Sequence, residues 1–130
     1  MIVTSKDYDK AVVMNIEEER LDAHNSNELK NELMNLFEEG KANIVINLQH
    51  VRFIDSSGLG ALVSGFKNAG SREGSVKLCA LQKQVKSMFE LTRLHRVFEI
   101  FPGEEEALAS FWFVVCLIAQ DGQIKKSVHP

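Results

Sequence analysis

The chain has 130 residues, 45% hydrophobic and 25% charged, with a formal net charge of -3. That length fits one domain, which can bury roughly two-thirds of its unfolded surface and fold without covalent staples. The acidic balance and the scattered lysines exclude a protein that works by neutralising nucleic-acid phosphates.

Ile2 to Ser5 and Ala11 to Ile16 are short β-type runs separated by the polar stretch Lys6 to Lys10, which predicts a hairpin. The charged residues Glu17 to Arg20 lead into Leu21-Asp22-Ala23-His24-Asn25, and Ser26 is the expected N-cap of a helix. Leu29, Leu33, Leu36 and Phe37 form the apolar stripe of that helix, and Gly40 ends it. Asn43 to Leu48 predicts a strand with Ile44, Ile46 and Leu48 on one face and Val45 on the other. Apolar residues on both faces suit the middle of a sheet. A shorter apolar piece, Val51 to Ile54, runs into Asp55-Ser56-Ser57-Gly58. A helix with Leu59, Leu62, Val63 and Phe66 on one side follows, its end bracketed by Gly70 and Gly74.

Ser75 to Leu81 reads as a strand, and Val85, Met88, Phe89 and Thr92 mark a third helix. Val97 to Phe101 is a last short strand, broken by Pro102-Gly103. Glu104, Glu105 and Glu106 then begin a fourth helix, where the dipole favours carboxylates. The order ββαβαβαβα implies parallel pairing after the first hairpin. The expected fold is α/β: one mixed, mostly parallel sheet of about five strands, with about four helices mainly on one face.

Cys79 and Cys116 are too few for a disulfide framework, and both sit in apolar runs as reduced core residues. The histidines stand at no metal-ligand spacing to one another or to cysteine, so no metal and no other cofactor is expected. The N-terminus, MIVTSKDYDK, lacks a basic segment followed by an apolar one, so no secretory leader is expected. These features point to a reducing cytoplasm.

The densest local signal is Phe53-Ile54-Asp55-Ser56-Ser57-Gly58-Leu59-Gly60. A strand ends, two hydroxyls follow, and a helix starts. Glycines at 58 and 60 clear side chains from the first turn, which leaves a serine hydroxyl beside unpaired backbone N–H groups, a place that suits a phosphate. Local physics equally allows Asp55 and Ser56 to be plain helix caps. The run after an apolar strand, with Ile44-Val45-Ile46-Asn47-Leu48 before it and Leu21-Asp22-Ala23-His24-Asn25 ahead of the first helix, resembles the STAS domain family. It is most similar to the bacterial anti-sigma factor antagonists of partner-switching systems. The resemblance covers about residues 1–110, taken as the domain, with 111–130 as a C-terminal extension and tail.

In that family the serine just before the glycine is phosphorylated, which maps to Ser57. The resemblance implies that this chain is not an enzyme. It would bind an anti-sigma factor that is also a serine/threonine kinase, be released when phosphorylated, and be reset by a phosphoserine phosphatase, so regulating sigma-factor-dependent transcription. It implies a docking patch of Asp22, His24, Asn25, Asp55, Ser56, Gly58 and Leu59. Asp22 either touches the partner or holds its own loop by accepting backbone N–H bonds. The family often has Asp where Asn47 stands.

Other readings compete. A serine hydrolase would pair Ser57 with His24 or His50 and with Asp22 or Asp55, but the Gly-x-Ser-x-Gly elbow is absent. The Gly58-Leu59-Gly60 turn is too short for a P-loop and lacks its Gly-Lys-Ser/Thr ending. Within the family, a scaffold or lipid-transport subunit is the alternative. A membrane transporter would need an apolar span of about 20 residues. Phe111 to Ala119 is an unbroken apolar run that extends the last helix or forms a strand. It is expected to pack on the domain or to form a homodimer contact.

Overall fold

The computed structural model describes residues 1–9 and 11–118, with side chains through residue 111. Its centre is a five-stranded sheet in the order β1-β2-β4-β6-β7, built from β1 (Val3–Asp7), β2 (Val12–Ile16), β4 (Asn43–Asn47), β6 (Ser75–Cys79) and β7 (Ile100–Phe101). Only β1 and β2 are antiparallel; β2–β4, β4–β6 and β6–β7 are parallel. A separate parallel pair joins β3 (Arg20–Leu21) to β5 (Phe53–Ile54).

The period-two pattern of β4 decides where the layers go. Ile44, Ile46 and Leu48 enter the main core with Met14, Ile16, Val76 and Leu78. Helices α1 (Ser26–Glu38), α2 (Ser56–Ser71) and α3 (Lys83–Leu91) cover that face with Leu29, Leu33, Phe37, Leu62, Val85 and Phe89. Val45 points the other way, into a smaller core with Ala11, Val13 and Cys79, covered by Ala107 and Leu108 of α4 (Glu104–Ile118). Three helices thus lie on one face and the fourth on the other. Gly65 brings α1 and α2 close: a Cβ there would lie 2.7 Å from Leu33 Cδ1.

Local details differ from the sequence reading. Asn25, not Ser26, occupies the N-cap of α1, and Ser26 is buried in the first turn. The strand expected at Val97 to Phe101 shrinks to Ile100–Phe101. The preceding residues Leu94–Arg96 form a 3-10 turn whose Leu94 carbonyl accepts from Phe98 N at 3.0 Å. That turn buries Phe98 edge-on between Phe66 and Phe89, at centroid distances of 5.2 and 5.9 Å. Burying an aromatic ring between two others outweighs three more residues of edge-strand pairing.

Cys79 is buried as a free thiol, and burial, with Glu104 and Glu106 nearby, pushes it up to about 12. It is therefore an inert core thiol. The apolar run from Phe111 continues α4 as helix through Ile118. Burial of Cys116 and the homodimer contact expected of 111–130 fall on side chains outside those described.

Candidate functional site

The site begins with the two-residue pair β3–β5. Arg20 stands opposite Phe53 and Leu21 opposite Ile54. Around the pair, Glu19 carbonyl oxygen accepts from Arg52 N and Phe53 N at 2.7 and 3.1 Å, and Leu21 carbonyl oxygen accepts from Asp55 N at 3.1 Å. The same Leu21 oxygen lies 2.5 Å from where a Cβ on Gly58 would sit. The first turn of α2 therefore rests directly on the β3 main chain, which only glycine at 58 allows. This contact places the Asp22 to Asn25 loop beside the Asp55 to Gly58 segment, the adjacency that the sequence resemblance implied.

Asp55 is the N-cap of α2, with extended backbone and a side chain whose Oδ1 accepts from Ser57 N at 2.9 Å and Gly58 N at 3.0 Å. The N–H groups expected to be unpaired are thus already filled by a carboxylate, and Ser56 is the first helical residue rather than the cap. Ser56 is exposed and Ser57 half-buried. Among the described residues no hydrogen bond engages the Ser57 hydroxyl. Gly58 and Leu59 are buried. Little of either is therefore exposed beside Ser57.

The neighbouring loop is knitted from its own polar groups. Asp22 Oδ1 accepts from His24 N at 3.0 Å, and Asp22 Oδ2 accepts from Arg20 Nε at 3.2 Å. Asn25 closes the loop from the other side. Its Oδ1 accepts from Asp22 N at 2.9 Å and its Nδ2 donates to Arg20 carbonyl oxygen at 2.8 Å. The His24 N–H, foremost, holds the Asp22 carboxyl below its ordinary range; burial opposes it, and the Arg20 guanidinium adds a smaller lowering effect. Both Asp22 carboxylate oxygens thus bond within the loop. The His24 ring is 95% exposed, so it is the projecting group.

Two residues escaped the sequence reading. The Arg20 guanidinium lies over the Phe53 ring at 4.3 Å, and Phe53 is 42% exposed. A pair of two-residue strands can bury one face only, so Leu21 and Ile54 go in while Arg20 and Phe53 stay out. An exposed aromatic next to an arginine is the composition enriched at protein interfaces.

Hydrolase geometry is not assembled. The His24 ring nitrogen lies 3.7 Å from Asp22, and His50 Nε2 lies 3.2 Å from Gln49 Nε2. Neither is bonded to Ser57 among the described contacts. A cleft of about 500 Å³ is lined instead by Leu81, Lys86, His95, Phe98 and Ile100, among others. Among the described residues no group of three or more His, Cys, Asp or Glu could hold a metal ion. No described helix is long and apolar enough to cross a membrane.

The profile of the STAS domain matches residues 3–107. The chain belongs to the STAS domain family. As a STAS domain it is similar to the anti-sigma-B factor antagonist of Bacillus subtilis, 33% identical over 85 residues, or 65% of this chain and 77% of that one. A crystal structure from Thermotoga maritima, described as a candidate anti-sigma factor antagonist, superposes with a TM-score of 0.76. It is 25% identical and covers 84% of this chain and 93% of that one. The Bacillus cell-fate determinant SpoIIAA in its phosphorylated form has the same fold, with a TM-score of 0.65, 20% identity and coverage of 82% and 96%.

Proposed function

We propose that this STAS domain is an anti-sigma factor antagonist acting in the cytoplasm. It binds an anti-sigma factor that is also a serine/threonine kinase and is switched off by phosphorylation of Ser57. A phosphoserine phosphatase then resets it. The observation that carries this reading is the Ser57 hydroxyl, half-exposed and without a described hydrogen-bond partner on the first turn of α2, beside a loop held by its own hydrogen bonds. In the transfer, Ser57 Oγ bonds to the γ-phosphorus of ATP, ADP leaves, and the hydroxyl proton passes to a base on the partner. This chain supplies the hydroxyl and the docking surface and carries out no catalysis.

The partner must bring ATP in line with Ser57, so its contacts must surround that residue. The groups available to it are Asp22, His24, Asn25, Asp55 and Ser56, together with Arg20 and Phe53. Similarity to the Bacillus subtilis antagonist supports the same reading. The test is to incubate the protein with a candidate anti-sigma kinase from the source cell and ATP-Mg, then map the phosphate by mass spectrometry. Modification of Ser57 that disappears in Ser57→Ala is expected. Phosphate on Ser56, or retained in Ser57→Ala, refutes the assignment.

A further inference from the structure

Asp55 and Ser57 are linked through the same backbone donors. One oxygen, Asp55 Oδ1, accepts from both Ser57 N and Gly58 N. Those are the groups that would hold an anion at the start of α2. A phosphoryl group on Ser57 Oγ would bring about -1.5 to -2 charges to that same helix end. Two anions cannot both take these donors without close like-charge contact. Further charged groups stand in the neighbouring loop. The Asp22 carboxylate is tied to Arg20 and the His24 N–H, Arg20 bonds Asp22 and covers Phe53, and the His24 ring points at Asp22.

We propose that a phosphoryl group on Ser57 displaces the Asp55 carboxylate from the Ser57 and Gly58 N–H groups, so that Asp55 is the moving part of the switch. The proposal rests on Ser57 as the phosphoacceptor, but not on which kinase modifies it. A dianionic phosphate competes for the two N–H groups far better than a monoanionic one. The second ionisation of phosphoserine falls near pH 6, and a neighbouring carboxylate raises it. The exchange between the two caps therefore occurs just below neutral pH. Its consequence is amplification: phosphorylation adds its own charge to the docking surface and also turns a satisfied carboxylate outward.

The protein with phosphoserine genetically encoded at position 57 allows a direct test. Its phosphorus and amide NMR signals are followed from pH 5 to pH 8, beside the same protein carrying Asp55→Asn. Asparagine is an equally good but neutral cap. The phosphate midpoint is expected about 0.5 pH unit higher with Asp55 than with asparagine. With Asp55 present, the Ser57 and Gly58 amide signals are expected to shift with that same midpoint. Asp55→Ser, a second neutral cap, serves if the asparagine variant fails to fold. Equal midpoints overturn the proposal, and so do Ser57 and Gly58 amides that stay still, or a collapsed spectrum. Failure to find a kinase would count against the proposed partner and leave this titration unaffected, so the two failures are distinguishable.

Discussion

Gly58 and Gly60 look alike in sequence, two glycines near the start of α2, but the structure gives them opposite consequences. A Cβ on Gly58 would lie 2.5 Å from Leu21 carbonyl oxygen, 2.9 Å from Leu21 C and 2.9 Å from Ile54 Cγ1, whereas one on Gly60 would meet nothing within 4 Å. Two of the Gly58 contacts are main chain, fixed by the β3–β5 pair, so no flexible side chain can give way. Such overpacking costs about 1–3 kcal/mol. If Leu21 shifts to relieve it, the bond from Asp55 N weakens, at about 1 kcal/mol. The helix preference of alanine over glycine offsets at most about 1 kcal/mol. Gly58→Ala should therefore destabilise by about 1–3 kcal/mol, lowering the melting temperature by roughly 4–12 °C. Gly60→Ala should be neutral or stabilising by up to about 1 kcal/mol. Thermal melts followed by circular dichroism measure both. A Gly58→Ala protein that melts with wild type, or below which Gly60→Ala falls, refutes the close-approach argument.

Other outcomes follow from single contacts. The Asp22 carboxyl is held below its ordinary range, so the order it gives its loop is present above the unfolded value, about 3.9, and is lost as pH falls through the lower folded value. The His24 amide signal in an NMR titration should move with a midpoint under 3.9, and a midpoint above that value contradicts the hydrogen-bond account. Asn47 Nδ2 donates to Glu104 Oε2 at 2.6 Å while Asn47 Oδ1 accepts from Gln49 N at 2.9 Å. Asn47→Asp would set two carboxylates face to face. The loss, about 1.5–3 kcal/mol at neutral pH, should shrink toward pH 4.5 as one of them protonates, and a pH-independent loss in denaturant titrations argues otherwise. Lys77 is buried, bonded to Ser110 Oγ at 2.7 Å and 3.3 Å from Glu99. Lys77→Met should leave stability within about 1 kcal/mol of wild type or raise it, because an apolar side chain of similar length removes the cost of desolvating the charge. A large loss in chemical denaturation would show that the Lys77 bond to Ser110 holds α4 in place.

Much of the fold was legible because burial leaves a period in the sequence. Ile44, Ile46 and Leu48 alternating with Val45 announced a strand covered on both sides, and the Leu29, Leu33, Phe37 stripe announced the face of α1 that meets the core. Elements held by non-local contacts left no such trace. β3 is two residues long and exists only through its pairing with β5, more than thirty residues later. Phe98 leaves the expected strand for a pocket between rings that come from two different helices. At the candidate site, the Asp55-Ser56-Ser57-Gly58 run could not say which groups were already paired. Asp55 was legible equally as cap or as site, and coordinates were needed to show its carboxylate on the Ser57 and Gly58 N–H groups. Arg20 and Phe53 were missed because their outward orientation depends on Leu21 and Ile54 turning in.

The way the two loops are joined also bears on how modification would act. Leu21 carbonyl oxygen both accepts from Asp55 N and abuts Gly58, so the Asp22 loop and the start of α2 are parts of one rigid corner. A phosphate added to Ser57 meets a helix end whose dipole favours it by roughly 0.3–1 kcal/mol. It also displaces the Asp55 carboxylate from the Ser57 and Gly58 N–H groups, at a cost of similar size because the phosphate takes those donors over. These effects nearly cancel, and both are small beside a total stability of about 5–15 kcal/mol. Phosphorylation should therefore leave the melting temperature within roughly 5 °C of the unmodified protein. Loss of partner binding must then arise at the interface, where a dianion would have to be desolvated against whatever the partner presents. Melts of the two forms side by side decide the matter. A phosphorylated protein that melts far lower would mean that the switch works by loosening the corner itself, and the rigid-corner account would fail.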